Sequence, residues 1–297
     1  RGHRCLDVEE ARNILKDQNL ESMSPGEREE TIARRFAECC VDSGEKRPSV
    51  ESSVHALLGR CVIHTHPAIL NGILCSQESE SVIKKLFSDL SPPYIYLEYV
   101  DFGYPLARKV QEAVEDYVEE NEVIPQVIFL ENHGVFVSSD TADEALDLTQ
   151  EITGRAEKTW QSETEGKPSE SLKDLPAQEK RGIMEDVSAA MRRAFKDIFG
   201  RTPVIKYGWD EPEKQFLQNT DKKDLAEVGP MVPDQVLYCN SGPMLLEGID
   251  QEEDVQGAVD RVINEHEKGL VTPVCLLVDG VGLFSAGPGY DLAESGL

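Results

Sequence analysis

Apolar residues recur along this chain at helical spacing in some segments and in short continuous runs in others, and the two patterns alternate. Residues 8–20 and 25–44 read as helices, the second rich in Glu, Arg and Ala. In "RPSVESSVHALL", Pro48 and Ser49 supply a helix start, with Ser49 as N-cap, and Val54, Leu57 and Leu58 form an apolar stripe. The run 61–64 is strand-like, "HPAILNGILCS" opens a short helix, "SVIKKLFSDL" is a helix and "YIYLEYV" a strand. Residues 105–121 form an amphipathic helix with Leu106, Val110, Ala113, Val114 and Tyr117 on one side. "QVIFLENHGVFV" predicts two buried strand segments, with Gly134 allowing a turn or close backbone approach, and 140–160 is again helical.

The pattern then breaks. Residues 161–180 are polar, contain proline and are nearly free of large apolar side chains, as expected of a linker. Beyond it come a helix over about 181–199, a strand-like "PVIKYG", the segment "VPDQVLYC", a helix over about 251–268, and "TPVCLLVDGVGLFSAG". The expected organisation is a first domain over 1–165, a linker over 166–180 and a second α/β domain over 181–297. Antiparallel or mixed sheets with helices outside accommodate this order. "VIFLENHGVFVSSDTADEA" and "CLLVDGVGLFSAGPGYDLAE" echo one another. Aligned on Gly134 and Gly282, His133 corresponds to Val281. Two readings stand side by side: a degenerate duplication whose second copy lost the histidine, or two unrelated core strands kinked at glycine.

Composition narrows the function. The 297 residues carry a formal charge of −26, which repels nucleic-acid phosphates and argues against a DNA- or RNA-binding role. An anionic small substrate needs a local pocket of positive character, which a metal ion can supply. No apolar run approaches the ~20 residues that span a bilayer, so no membrane role is expected. The seven cysteines include no C-x-x-C pair, a usage that favours a reducing cytoplasm over a disulfide framework.

The chemistry concentrates in "CVIHTHP". On a strand, residues i and i+2 share a face, so His64 and His66 can converge on one ion while Thr65 faces away. The bland reading is a pair of rings that find hydrogen-bond partners at a strand end. His133 follows an apolar strand and precedes a glycine, which makes it the best candidate for a third ligand. Three protein ligands with an open position describe a catalytic rather than a structural zinc site. Glu51 sits four residues before His55 on one helix face, and a carboxylate beside a metal can exchange protons near neutral pH. Its alternative role is a helix-start glutamate stabilised by the dipole. Ser49 as a cap presents backbone N–H groups suited to phosphate, although most such serines only cap. His3 and His266 lie in polar surroundings and are expected at the surface.

Taken together, "PSVESSVHALL", "CVIHTHP", "YVDFGYPLARKV" and "LENHGVFV" resemble the class II (zinc-dependent) aldolase/adducin family over roughly residues 30–160. Residues 180–297 look similar to the region that follows this domain in bifunctional rhamnulose-1-phosphate aldolase/alcohol dehydrogenase proteins. The resemblance implies a three-layer α/β/α domain with a mixed, largely antiparallel sheet, plus a smaller α/β region readable as a degenerate repeat. It implies Zn2+ (or another divalent metal) on His64, His66 and His133, with Glu51 as acid/base. Tyr99 matches the tyrosine that, in sugar-phosphate aldolases, donates a proton from a neighbouring subunit; its alternative is a strand tyrosine packing its ring. The implied reaction is reversible cleavage of a ketose 1-phosphate to dihydroxyacetone phosphate and an aldehyde such as lactaldehyde, in a homo-oligomer with its active site near a subunit boundary. A sugar-phosphate dehydratase or epimerase, or a non-catalytic adducin-like binding protein, are the alternatives. The family's G-N-x-S loop and S-G turn, which hold the substrate phosphate, have no counterpart before Glu51. Val50 replaces a serine, leaving Ser49 of that cluster. The expectation is that these loops lie on an N-terminal piece preceding Arg1, or that the substrate is held differently.

Overall fold

A computed structural model describes residues 5–42, 44, 47–49, 51–91, 93–164, 175–218, 222–247, 254–266 and 272–296. Val50, His3 and most of the expected linker lie outside them. The chain divides into two compact units, Arg1–Thr164 and Glu165–Leu297.

In the first unit the order is α1 (Val8–Leu15), a 3-10 turn (Gln18–Ser22), α2 (Pro25–Glu38), α3 (Ser52–Leu57), β1 (Cys61–Thr65), α4 (Ala68–Leu74), α5 (Ser79–Leu86), β2 (Ile95–Leu97), α6 (Tyr104–Asn121), β3 (Val127–Leu130), β4 (Gly134–Ser139) and α7 (Ala142–Thr164). The sheet runs β1-β4-β3-β2; β1/β4 and β4/β3 are antiparallel and β3/β2 parallel. Alternation along β3 builds the layers. Ile128 and Leu130 join Phe136 in a core with α1, α2, α3 and α6, while Val127 and Phe129 pack with Val135 and Val137 against α4, α5 and α7. Both faces are therefore covered, which is why "VIFL" is apolar at every position. This is the three-layer α/β/α arrangement with a mixed, largely antiparallel sheet.

Local chemistry sets several boundaries differently from the sequence pattern. The helix expected to run to residue 44 ends at Glu38, because Cys40 pairs with Leu6 in an isolated antiparallel bridge and draws the chain out of helical geometry. Ser49 is not the cap of α3. Its hydroxyl accepts the Glu51 N–H at 3.2 Å and its carbonyl accepts the Ser52 N–H at 3.1 Å, forming a turn ahead of the helix. Glu51 takes the cap position, its carbonyl accepting from Val54 and His55. The strand expected across "YIYLEYV" is confined to Ile95–Leu97.

In the second unit the order is α8 (Ala177–Ala194), α9 (Lys196–Phe199), β5 (Val204–Gly208), α10 (Glu211–Leu217), α11 (Lys222–Glu227), α12 (Pro233–Cys239), β6 (Met244–Leu246), α13 (Val255–His266), β7 (Cys275–Val278), β8 (Gly282–Gly287) and α14 (Tyr290–Ser295). Residues 161–164 and 177–180, expected within the linker, are helical instead, at the end of α7 and the start of α8. The sheet order β5-β8-β7-β6, antiparallel, antiparallel and parallel, repeats that of the first unit strand for strand. Its core gathers Val187 and Met191 of α8, Ala258 and Val262 of α13, and Leu276, Val278 and Phe284 of the sheet.

Candidate metal centre

The site is assembled where β1 ends and where β3 turns into β4. His64 lies in β1 opposite Phe136 of β4, and its ring stacks on that phenyl ring, centroids 3.8 Å apart and planes 10° apart. His66, just past the strand end, emerges on the same side two residues on. His133 sits in the three-residue turn between β3 and β4, where Asn132 adopts a left-handed conformation (φ 53°) and the His133 N–H closes the turn onto Leu130. Asn tolerates that conformation better than other side-chain-bearing residues.

These placements bring the three rings into a triangle, with centroids 4.6 Å (His64–His66), 5.0 Å (His66–His133) and 5.2 Å (His64–His133) apart. Glu51 completes the group from the start of α3. One of its carboxylate oxygens, Oε1, lies 3.2 Å from His64 Nε2 and 3.1 Å from His133 Nε2, and the His66 and His64 Nε2 atoms face each other at 2.8 Å. One ligand atom from each of the four residues lies within 4.8 Å of the others. Gly134 makes the close approach possible, since a Cβ there would stand 2.5 Å from the Thr65 carbonyl oxygen and 2.6 Å from His66 Cδ2.

The donor set fits a divalent cation. His64 Nδ1 is 3.0 Å from the Val135 carbonyl, which can only accept, so Nδ1 carries a proton. In the neutral ring Nε2 then bears a lone pair, and this lone pair faces a carboxylate oxygen and a second imidazole nitrogen. Positive charge among these atoms, from an added proton or a cation, relieves that opposition. A backbone carbonyl holding the distal N–H is also the arrangement that orients metal-ligating histidines. Burial by itself would raise the Glu51 carboxyl, but hydrogen bonds from His133 Nε2 and His64 Nε2, where these atoms carry protons, outweigh it and hold the group well below the usual carboxylate range. Glu51 is accordingly a carboxylate held among imidazoles.

Of the other candidates, Ser49 is exposed and engaged with the Glu51 backbone rather than with the donor atoms. Tyr99 is 53% exposed, its hydroxyl donating to Asp101 at 3.0 Å. Its N–H donates to Glu131 Oε2 at 2.8 Å, which ties it to the turn that carries His133. It does not join the histidine–glutamate group within its own chain. Sequence reasoning missed Phe136 as a neighbour of the site and placed His55 only on the helix face of Glu51, not beside His64. The His55 ring lies edge-on to His64, centroids 6.4 Å apart, and edge-on to Phe136 at 5.4 Å. Both positions carried ordinary signals, an apolar strand residue and a helix histidine, and only the strand register shows what they support.

The second unit keeps the framework and dismantles the donors. Gly282 stands in the place of Gly134, and the matching registers put Tyr207, Trp209 and Val281 at the positions of His64, His66 and His133. The turn is the same, with Gly280 at φ 71° and the Val281 N–H bonded to Val278. The Tyr207 hydroxyl donates to the Val281 carbonyl at 2.7 Å. The second unit repeats the strand order, register and turn of the first without its donor set.

Residues 23–160 match the family model described as Class II Aldolase and Adducin N-terminal domain. A curated relative, "Uncharacterized oxidoreductase YuxG" of Bacillus subtilis (strain 168), is 20% identical over 291 residues, covering 90% of this chain and 40% of its own length. The chain thus spans well under half of that relative. Among solved structures, "Structure of the N-terminal Class II Aldolase domain of a conserved protein from Thermoplasma acidophilum" aligns with 25% identity and a TM-score of 0.42, covering 52% of this chain and 64% of that one. Among the described residues no helix is long and apolar enough to cross a membrane.

Proposed function

We propose that residues 23–160, a class II aldolase/adducin domain, form a metal-dependent lyase that reversibly cleaves a ketose 1-phosphate to dihydroxyacetone phosphate and an aldehyde such as lactaldehyde. The observation that carries this reading is the meeting of His64, His66 and His133 with the Glu51 carboxylate inside 4.8 Å. The three imidazoles would hold Zn2+ or a similar cation, which, when bound, polarises a carbonyl oxygen and stabilises negative charge developing on it.

The protein's own groups then account for the proton movements. In the synthetic direction Glu51 removes a proton from the carbon next to the carbonyl of dihydroxyacetone phosphate, and the electron pair left there forms the new bond to the aldehyde carbon. The aldehyde oxygen takes a proton from the Tyr99 hydroxyl of a neighbouring copy. Cleavage reverses each step: the hydroxyl proton returns to Tyr99, the C3–C4 bond breaks, and Glu51 delivers a proton to carbon. The exposed position of Tyr99 supports a role across a subunit boundary in a homo-oligomer. The complete donor set favours an enzyme over a non-catalytic adducin-like binding domain.

Product analysis tests the proposal. Zinc-loaded protein is incubated with rhamnulose 1-phosphate or fuculose 1-phosphate, and dihydroxyacetone phosphate is followed by coupled reduction. Release that requires metal and disappears in His133→Ala is expected. Turnover of a sugar phosphate with no triose phosphate formed would overturn aldol cleavage and favour a dehydratase or epimerase.

A further inference from the structure

The second unit holds a pair of thiols that the metal chemistry does not involve. Cys239 is the last residue of α12 and Cys275 the first of β7, both as free thiols. They are far apart in the chain, but the Cys239 carbonyl accepts the Val274 N–H at 3.1 Å, which sets the end of the helix beside the start of the strand. Asn240, in a left-handed conformation (φ 64°), turns the chain out of α12, and its Nδ2 donates to the Thr272 carbonyl at 3.0 Å. Both thiols then converge on one acceptor. The Gly296 carbonyl oxygen lies 3.2 Å from Cys275 Sγ and 3.9 Å from Cys239 Sγ, and the two thiols also hydrogen-bond to each other. Cys275 Sγ is 3.7 Å from Ser285 Oγ, its partner across β7 and β8. In the first unit the matching cross-strand pair is Val127 and Val137, so filling this layer does not itself call for a thiol and a hydroxyl. A thiol has one proton, so Cys275 serves only one of its three neighbours at a time.

We propose that Cys239 and Cys275 form a reversible dithiol/disulfide site that reacts with low-molecular-weight disulfides such as oxidised glutathione, Cys239 being the attacking thiol and Cys275 the resolving one. Access sets this order, since Cys239 is half-buried whereas Cys275 is 2% exposed. The electrostatics point the same way. The hydrogen bond from Cys275 holds the Cys239 thiol below its usual value, while that bond and burial push Cys275 up. The Cys239 thiolate attacks one sulfur of oxidised glutathione, the glutathione S–S bond breaks, and one glutathione thiolate leaves and takes up the proton that Cys239 released. Cys275 then attacks Cys239 Sγ and displaces the second glutathione, which takes the Cys275 proton. The two protein sulfurs are oxidised, and one glutathione disulfide is reduced to two thiols. The bridge closes the loop over residues 239–275, which carries β6 and α13, and removes both thiol donors from the Gly296 carbonyl after α14. Excess reduced thiol reverses each step, so a transient bridge of this kind is what a reducing compartment allows, unlike a structural disulfide framework. None of these steps depends on the metal centre or on the proposed lyase reaction.

Disulfide mapping of the full chain tests this. The protein is equilibrated in glutathione buffers of rising oxidised-to-reduced ratio, quenched by alkylation, digested and read by mass spectrometry. A peptide pair joined through Cys239 and Cys275, two hydrogens lighter than its separate parts, is expected to form and to vanish on adding dithiothreitol. The exposed Cys5 serves as the control for simple glutathione addition. Cys275→Ala, which keeps the buried position apolar, should trap a lasting glutathione adduct on Cys239, and Cys239→Ala should leave Cys275 unmodified. The wild-type map decides the site even where a variant fails to fold. Cys239 and Cys275 both alkylated as free thiols, in a buffer that has already modified Cys5, would overturn the site. A wild-type adduct on Cys239 that never resolves, or a bridge from Cys239 to a different cysteine, would overturn it as well.

Discussion

The His64 imidazole lies flat on the Phe136 ring, 3.8 Å between centroids, because the two residues are direct partners across β1 and β4. The same pairing in the second unit sets Tyr207 against Phe284, 5.2 Å apart and tilted by 60°. The phenyl ring fixes the plane of the imidazole from one side while the Val135 carbonyl fixes its edge through Nδ1. Phe136→Ala should therefore cost stability and also weaken metal binding. A loss of about 3–5 kcal/mol is expected for a fully buried phenylalanine. Urea unfolding and zinc titration read the two effects separately, and a variant that loses stability yet binds zinc as before would show that the stack does not orient His64.

Gly134 has a different role. A methyl group at this position meets the Thr65 carbonyl and His66 Cδ2 at distances no side chain tolerates. Gly134→Ala should push β1 and the His66 ring away from β4, destabilising the unit by about 1–3 kcal/mol. Zinc affinity should fall with it. Thermal melts of metal-free protein, compared with zinc titrations, check both parts.

Glu51→Gln keeps the size of the side chain and removes its charge. With three imidazoles retained, bound metal should stay near the wild-type level while turnover falls by about 10²–10⁴, the range typical of a lost general acid/base. Metal content and rate measured on the same preparation check this. Metal lost in parallel with activity would identify the carboxylate as a ligand first.

Tyr207 supplies a pH dependence in the second unit. Burial, with a smaller contribution from the Glu213 carboxylate, pushes its phenol up to about 12. The unfolded chain loses this proton near pH ~10, so the contribution of the neutral phenol to stability is complete below that value. It is lost as pH rises toward 12. Urea midpoints taken between pH 9 and 12 should fall more steeply for the wild type than for Tyr207→Phe, which lacks the titrating group. Parallel slopes would contradict the assignment.

Much of the site was legible from the sequence because its signals are local. The i, i+2 spacing of His64 and His66 needs only a strand, and the apolar run before His133 with Gly134 after it marks a tight strand connection. Glu51 was placed near its true position, although the capping role fell to it rather than to Ser49, a matter of one hydroxyl accepting one backbone N–H. The echo around Gly134 and Gly282 was visible, but it became a repeat only through strand order, which no single stretch contains. What escaped the sequence depends on distant residues meeting. The end of α2 is set by Cys40 pairing with Leu6, and the packing of α1 on α3 forms a cleft lined by residues far apart in the chain, Arg12, Arg47 and Arg60 among them.

Metal content tests the central claim most directly. Protein purified with zinc in excess and then desalted is expected to hold about one metal per chain by elemental analysis, because among the described residues only the first unit gathers such a donor group. The His64→Ala/His66→Ala/His133→Ala variant, still folded by circular dichroism, should hold close to none. A folded triple variant that retains the wild-type metal content would contradict the account.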